Sequence, residues 1–179
     1  MKWLESEKIL LGTYKLSDWK DVLKYTSDPA VWRYLDEEPL DEKAVRQFVA
    51  NSVEQQTQRD GFAEHIPVVL RPSLEIIGHV TFYGMYKQGE IAGVSIMIGS
   101  KYQGRGYGTE ALKNIIKYAF SNTKAHRLES GCDARNAAAV KMMEKAGLRR
   151  EGVFRETMFV GDRWRDECLY SILKSEWKK

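Results

Sequence analysis

The sequence predicts an α+β fold built on one mixed central sheet of about seven strands with flanking helices. Three observations predict it. Phe62 to Leu70, Glu75 to Tyr83 and Glu90 to Ile98 are successive segments of strand-type composition, separated by the turn residues Arg71-Pro72-Ser73 and Lys87-Gln88-Gly89. The third runs into a glycine-rich loop, Gln103-Gly-Arg-Gly-Tyr-Gly108, and out into a helix whose Ala111, Leu112, Ile115, Ile116, Ala119 and Phe120 share one face. Beyond that helix His126 to Asp133 reads as another strand, so a β-α-β unit sets two parallel strands side by side.

The remaining elements fit around this centre. Lys8 to Tyr14 reads as a first strand, and Ser17 or Asp18 can cap a helix carrying Trp19, Val22, Leu23 and Thr26 to the turn at Asp28-Pro29. The aromatic segment Val31-Trp32-Arg33-Tyr34-Leu35 either packs between helices or lines an acceptor pocket. Acids Asp36, Glu37 and Glu38 follow it. A second helix runs from Asp41 to about Gln58 on a stripe of Ala44, Val45, Phe48, Val49 and Val53, closing at Gly61. Late in the chain Arg135-Asn136 opens a helix through Ala139, Val140, Met143 and Ala146, which Gly147 stops. Arg149 to Val160 and Arg163 to Leu173 then form a hairpin around Gly161-Asp162.

Length and composition narrow the functional classes. At 179 residues the chain suits one domain, residues 1–179. Its 30% charged and 43% apolar residues are an ordinary globular balance. No apolar run approaches the ~20 residues of a spanning helix, and the acids of the first eight residues interrupt any secretion signal, so a cytoplasmic protein without a membrane partner is expected. A net charge of +3 is too small to point to direct nucleic-acid binding. His65, His79 and His126 have no ligand spacing, Cys132 and Cys168 lie in strand-like runs, and no metal is expected.

The glycine loop carries the chemistry. A helix N-terminus has unpaired N–H groups and a positive dipole end, which suit phosphate. A P-loop would need Lys before Thr109, and there is none. The dinucleotide fingerprint needs its third glycine one residue later than Gly108, and a loop near the start of alternating strands and helices. What remains is Gln-x-x-Gly-x-Gly, matched by Gln103, Gly106 and Gly108.

On this motif the sequence resembles the GNAT acetyltransferases, and the order of elements extends the likeness over nearly the whole chain. Asp133-Ala-Arg-Asn136 and Met143-Glu-Lys-Ala-Gly-Leu148 are similar to a second GNAT motif. Gly-Tyr-Gly-Thr-Glu-Ala, Arg-Leu-Glu and Glu-Lys-Ala-Gly-Leu-Arg-Arg-Glu-Gly most resemble the RimJ/RimL branch, which acetylates protein N-termini, including those of ribosomal proteins. The resemblance implies a GNAT fold whose parallel strand pair splays apart to admit the pantetheine arm of acetyl-CoA. It implies that the pyrophosphate lies on Gln103, Gly104, Arg105, Gly106, Tyr107, Gly108 and Thr109. Ser95, Ile96, Met97 and Ile98 are then within reach of the thioester, and Asn136 contacts the CoA arm or only caps its helix. A homodimer is also implied, with Trp164 and Tyr170 on the final strand as interface candidates.

The reaction implied is direct attack of a primary amine on the thioester in a ternary complex. An ammonium must first lose a proton, and Glu129 is the leading candidate base, with Glu90, Asp133, His79 and Tyr83 behind it. Where many relatives have a proton-donating Tyr or Ser this chain has Met143 and Ala139, so no donor is assigned. The acceptor is expected to be a protein N-terminus of the ribosomal-protein-alanine type. A polyamine or aminoglycoside, favoured by Asp36 to Glu38, and a non-catalytic acyl-CoA binding module are the alternatives.

Overall fold

In the computed structural model, which describes residues 4–58, 63–86 and 90–177, the strand-type segments join one eight-stranded sheet. Strands β1 (Leu4–Glu5) and β2 (Ile9–Leu11) form a short antiparallel pair. The first strand expected over Lys8 to Tyr14 is thus shorter, and an additional strand precedes it. The Ser6 amide closes the intervening turn on the Ile9 carbonyl at 3.0 Å. Then come β3 (Ala63–Leu70), β4 (Ile76–Tyr86), β5 (Ile91–Ile98), β6 (Arg127–Asp133), β7 (Arg149–Val160) and β8 (Arg163–Leu173), in the spatial order β1-β2-β3-β4-β5-β6-β8-β7. Every neighbouring pair is antiparallel except β5 with β6. The expected turn at Lys87 to Gly89, the strand start at Phe62 and the helix stop at Gly61 lie outside the described residues.

Helices cover the two faces unequally. On one face α4 (Tyr107–Asn122) and α5 (Ala137–Ala146) bury Leu112, Ile115, Ile116 and Met143 against Val80, Val94, Leu128 and Tyr170 of the sheet. On the other, α1 (Trp19–Thr26) and α3 (Glu42–Gln58) bury Val22, Tyr25, Val45 and Val49 over Val69 and Ile76. Removing this apolar area from water supplies the main driving force, at about 25 cal/mol per Å². Ala44, expected in the α3 stripe, is exposed because the helix turns Val45 and Val49 inward instead. Asp18 caps by another route than expected, its carboxylate accepting from the Lys15 amide at 2.8 Å. The aromatic segment forms a short helix, α2 (Pro29–Trp32), with Asp28 accepting from the Ala30 amide at 3.0 Å. Trp32 is buried and donates Nε1–H to the Thr26 carbonyl at 2.7 Å, so its role is packing.

Under α1 and α3 sits a small aromatic nest. Phe48 lies 4.8 Å from the His65 ring and 5.4 Å from the His79 ring, and His79 Nδ1 is 2.9 Å from the Tyr25 hydroxyl. Burial, reinforced by the neighbouring His65, pushes the His79 pKa down to about 3. In the unfolded chain a histidine titrates near 6.5, so the unfolded state takes up the proton first as pH falls. Stability is therefore complete above about pH 6.5 and declines below it, by at most ~1.4 kcal/mol per pH unit, until the folded state also protonates. Urea unfolding midpoints recorded from pH 7 to pH 5 are expected to fall along this slope, and His79→Gln flattens it.

Candidate functional site

The sheet ends against a loop that folds back on it. After β5 the Gly99 amide bonds the Ile77 carbonyl at 2.8 Å, and a tight turn over residues 100–102 follows. Gln103 Nε2 then donates to the Ile98 carbonyl at 2.8 Å, latching the loop to the strand end. The Gln103 amide is spent on the Ser100 carbonyl at 3.2 Å. Gln103 therefore shapes the loop rather than offering its amide to a ligand. Gly104 and Gly106 have φ of +74° and +89°, the left-handed region that other residues enter at a cost, and open space lies where their Cβ atoms would stand. Gly108 is different. A Cβ there would come within 2.8 Å of Met142 Sδ, so this glycine lets α4 lie close to α5.

Together these features leave an unsatisfied row of donors. The first backbone bond into α4 runs from the Glu110 amide to the Gly106 carbonyl at 3.0 Å, and Gly106 has no side chain to cap the helix. The amides of residues 104–109 have no acceptor among the described residues. Such a row, at the positive end of a sixteen-residue helix, suits a pyrophosphate. Glu110 is structural, its Oε1 accepting from the Lys8 amide at 3.2 Å.

Beside the loop the sheet opens. Strands β5 and β6 pair only through Ile91, Ala92 and Gly93 against Arg127, Leu128 and Glu129, although both strands continue beyond. Strand β6 stays with β8 through Asp133, and β5 stays with β4 through Ile98. Strand peptides point alternately to either neighbour. Because the Gly99 amide points to β4, those of Met97 and Ser95 do too, while Ile98, Ile96 and Val94 turn theirs into the gap. The Gly93–Glu129 pairing takes the Val94 amide, so Ile96 and Ile98 are the residues that turn amides into the unpaired part of the gap. The sequence placed Ser95, Ile96, Met97 and Ile98 near the thioester; Met97 packs its side chain against the core under α1 and α3, and the Ile98 carbonyl is taken by Gln103 while its amide faces the gap. Strict alternation counted back from Gly99 is the signal that selects Ile96 and Ile98 among these four.

The face of the gap turned toward α1 and α3 is polar and only partly covered. Tyr83, Gly93, Glu129 and Ser171 are cross-strand partners in one row, and Ser95 stands exposed one step along β5. Glu129 is held by Arg127 Nε, and Arg127 Nη1 also binds Glu151 at 3.0 Å. The Tyr83 hydroxyl has its pKa raised by burial and by the nearby Glu167 and Glu129. Asn136 caps α5, its side-chain oxygen accepting from the Ala139 amide at 3.1 Å, with Nδ2 left to donate. Met143 is buried in the core and donates to nothing in the cleft. Burial first, then Cys168 and nearby acids, push the Cys132 thiol up to about 12, which fits an inert strand residue. Tyr170 is fully buried with its hydroxyl 3.2 Å from Glu144, which removes it from any subunit interface; Trp164 remains exposed.

A helix end with free amides, a parted parallel pair and a polar open face now stand together. Residues 8–149 match the family described as the acetyltransferase (GNAT) domain. The chain is a GNAT acetyltransferase. It is 32% identical over 174 residues to an uncharacterized N-acetyltransferase of Bacillus subtilis, YnaD, covering 97% of this chain and 98% of that one. The crystal structure of a GNAT-family acetyltransferase from Bacillus anthracis superposes with a TM-score of 0.86 at 31% identity, covering 97% and 99%. The [ribosomal protein uS5]-alanine N-acetyltransferase of Escherichia coli is 26% identical over 104 residues, 58% of this chain and 54% of that one. As in the family, acetyl-CoA is the cosubstrate of this GNAT acetyltransferase, and the free amides at the α4 N-terminus and the β5–β6 gap fit it. Among the described residues no group of three or more His, Cys, Asp or Glu is placed to hold a metal ion, and no helix is long and apolar enough to cross a membrane.

Proposed function

We propose that this GNAT acetyltransferase, acting as a single domain, transfers acetyl from acetyl-CoA to the α-amine of a protein N-terminus in a ternary complex. The observation that carries the reading is the parted strand pair, with a row of free amides at its outer end and Glu129 where pairing stops. The amides of residues 104–109 hold the pyrophosphate, with the Arg105 side chain exposed beside them. Asn136 Nδ2 donates to the CoA arm while its oxygen keeps the cap. The backbone N–H of Ile96 faces the thioester oxygen and stabilises the charge that develops there as the amine attacks. Acetyl-CoA supplies an activated acyl group with a thiolate as leaving group. Glu129 accepts the amine's proton through a water, and its ion pair with Arg127 fixes its orientation.

The likeness to a ribosomal-protein-alanine acetyltransferase supports a peptide acceptor, and the exposed Trp164 end of β8 is the surface through which two copies pack in this reading. A second reading, a polyamine acceptor, is favoured by one feature. Asp36, Glu37 and Glu38 are exposed just beyond Tyr34, which lies near Arg135 at the approach to α5. Steady-state acetylation of peptides with N-terminal Ala or Ser, run beside spermidine, decides between them. A kcat/KM for peptides at least about tenfold above that for spermidine is expected, and the reverse order replaces the N-terminal reading with the polyamine one.

A further inference from the structure

The open face of the gap carries four carboxylates, and their partners differ. Glu129 and Glu151 share Arg127, and Glu151 also accepts from the Ser171 hydroxyl. Asp133 is buried and bound by Arg135 at 2.8 Å and Arg165 at 3.2 Å. Glu167 has no hydrogen bond or ion pair among the described residues, although it is half-buried. Its nearest cation along β8, Arg165, commits a guanidinium nitrogen to Asp133.

Glu167 is also placed where the sheet makes room for it. It is the cross-strand partner of Asp133 at the splayed end of β6, and its carboxylate leans over Gly131. A Cβ at Gly131 would overlap Glu167 Oε1, so the absence of a side chain there lets the carboxylate lie in that position. On its other side Phe154, half exposed, is its partner on β7, and cross-strand partners share a face. Immediately past Phe154 the register breaks until Met158, and Glu156 within the bulge has φ of +55°. The result is a carboxylate without a cation, flanked by an aromatic ring and by Tyr83, at the mouth of the gap where the acceptor must arrive.

We propose that Glu167 is the acceptor-binding carboxylate of this enzyme: it receives the ammonium group of the incoming amine over Gly131, with Phe154 against the carbon next to the charge. This rests on the acetyl-transfer reading above and adds to it the group that selects a cationic acceptor. A half-buried carboxylate gains a charge-assisted hydrogen bond from an ammonium that a neutral amine or alcohol does not offer. The ammonium then lies within the reach of Glu129 and its water, on the same face of the sheet. An ammonium can also be attracted to the Phe154 ring face.

The test uses two variants and two readouts. Glu167→Gln keeps the shape and removes the charge; Gly131→Ala keeps the charge and displaces it, since only a flexible side-chain end has to move. Both are expected to leave acetyl-CoA affinity within about twofold and to raise acceptor KM about tenfold or more, with kcat changed far less, as loss of a charged hydrogen bond predicts. Glu167→Asp restores part of the KM. Independently of turnover, n-butylammonium added to the CoA-saturated protein is expected to shift the amide resonances of Gly131 and Tyr83 in the parent, and not in either variant. Failure of the parent to bind acetyl-CoA sinks the acetyl-transfer reading itself. Normal acetyl-CoA binding with equal KM, or equal butylammonium shifts, in parent and variants overturns the Glu167 assignment alone. If Glu167→Gln does not fold, Gly131→Ala decides.

Discussion

Gly106→Asp is expected to lower acetyl-CoA affinity by about a hundredfold or more in isothermal titration, while Gly106→Ala lowers it only a few-fold. The two variants carry the same backbone cost. Both must hold φ of +89°, at about 1–2 kcal/mol, and neither meets a steric obstacle because nothing lies within 4 Å of the added Cβ. That strain amounts to a drop in Tm of a few degrees. The difference between them is electrostatic. The aspartate brings a carboxylate to the free amides of residues 104–109, where it satisfies the helix end itself and repels the pyrophosphate. Equal losses in the two variants would mean that loop shape, rather than the field at the helix end, binds the cosubstrate.

Asp133→Ala is expected to cost about 3–5 kcal/mol in urea unfolding, or a Tm lower by about 6–20 °C. The Asp133 side chain is fully buried, and its two oxygens accept from the Arg135 amide and guanidinium and from Arg165. Arg165 is itself only 16% exposed, with Nε already lacking an acceptor, so removing the carboxylate strands a buried cation. Burial acts to raise the Asp133 pKa, but the Arg135 hydrogen bonds and charge outweigh it and hold the carboxyl below its ordinary value. Its contribution is therefore complete above the unfolded carboxylate pKa near 4 and is lost as pH falls through the lower folded value. Asp133→Asn, which keeps the shape but not the charge, is expected to lose stability at neutral pH and to remove this acid-side decline. An Ala variant within 1 kcal/mol of the parent would show that the triad is not what fixes the turn into α5.

Much of the architecture was legible in the sequence because it rests on local signals. The last hairpin runs over Arg149–Val160 and Arg163–Leu173 as the alternation about Gly161-Asp162 predicts, and α5 starts at Asn136 and stops at Gly147 on ordinary capping chemistry. Strand β1 was not legible and β2 was read too long, over Lys8 to Tyr14, since two- and three-residue strands carry no period and their extent is set by pairing with β2 and β3. The loop was recognised by its glycines, but the reason for each glycine was not: two serve φ, and Gly108 serves the approach of Met142. Likewise the choice of Ile96 over Met97 depends on which neighbour each peptide faces, a property of pairing and not of residue type. Glu167 went unnoticed because its significance lies in what its neighbours do. Arg127, Arg135 and Arg165 are already engaged by other acids, and only the folded register shows it.

The short parallel ladder also says how the molecule is held together. With three residue pairs joining β5 to β6, the backbone seam between the β1–β5 half and the β6–β8 half is unfinished, and the halves are bound chiefly by the shared apolar floor of α4 and α5. On the proposed reading, a pantetheine arm in the seam acts as a borrowed strand whose amides complete bonds that the polypeptide leaves open. Cosubstrate and fold thus draw on the same donors. In that reading, departure of CoA leaves the seam joined by its three residue pairs alone, so the cosubstrate contributes to the cohesion of the two half-sheets while it is bound.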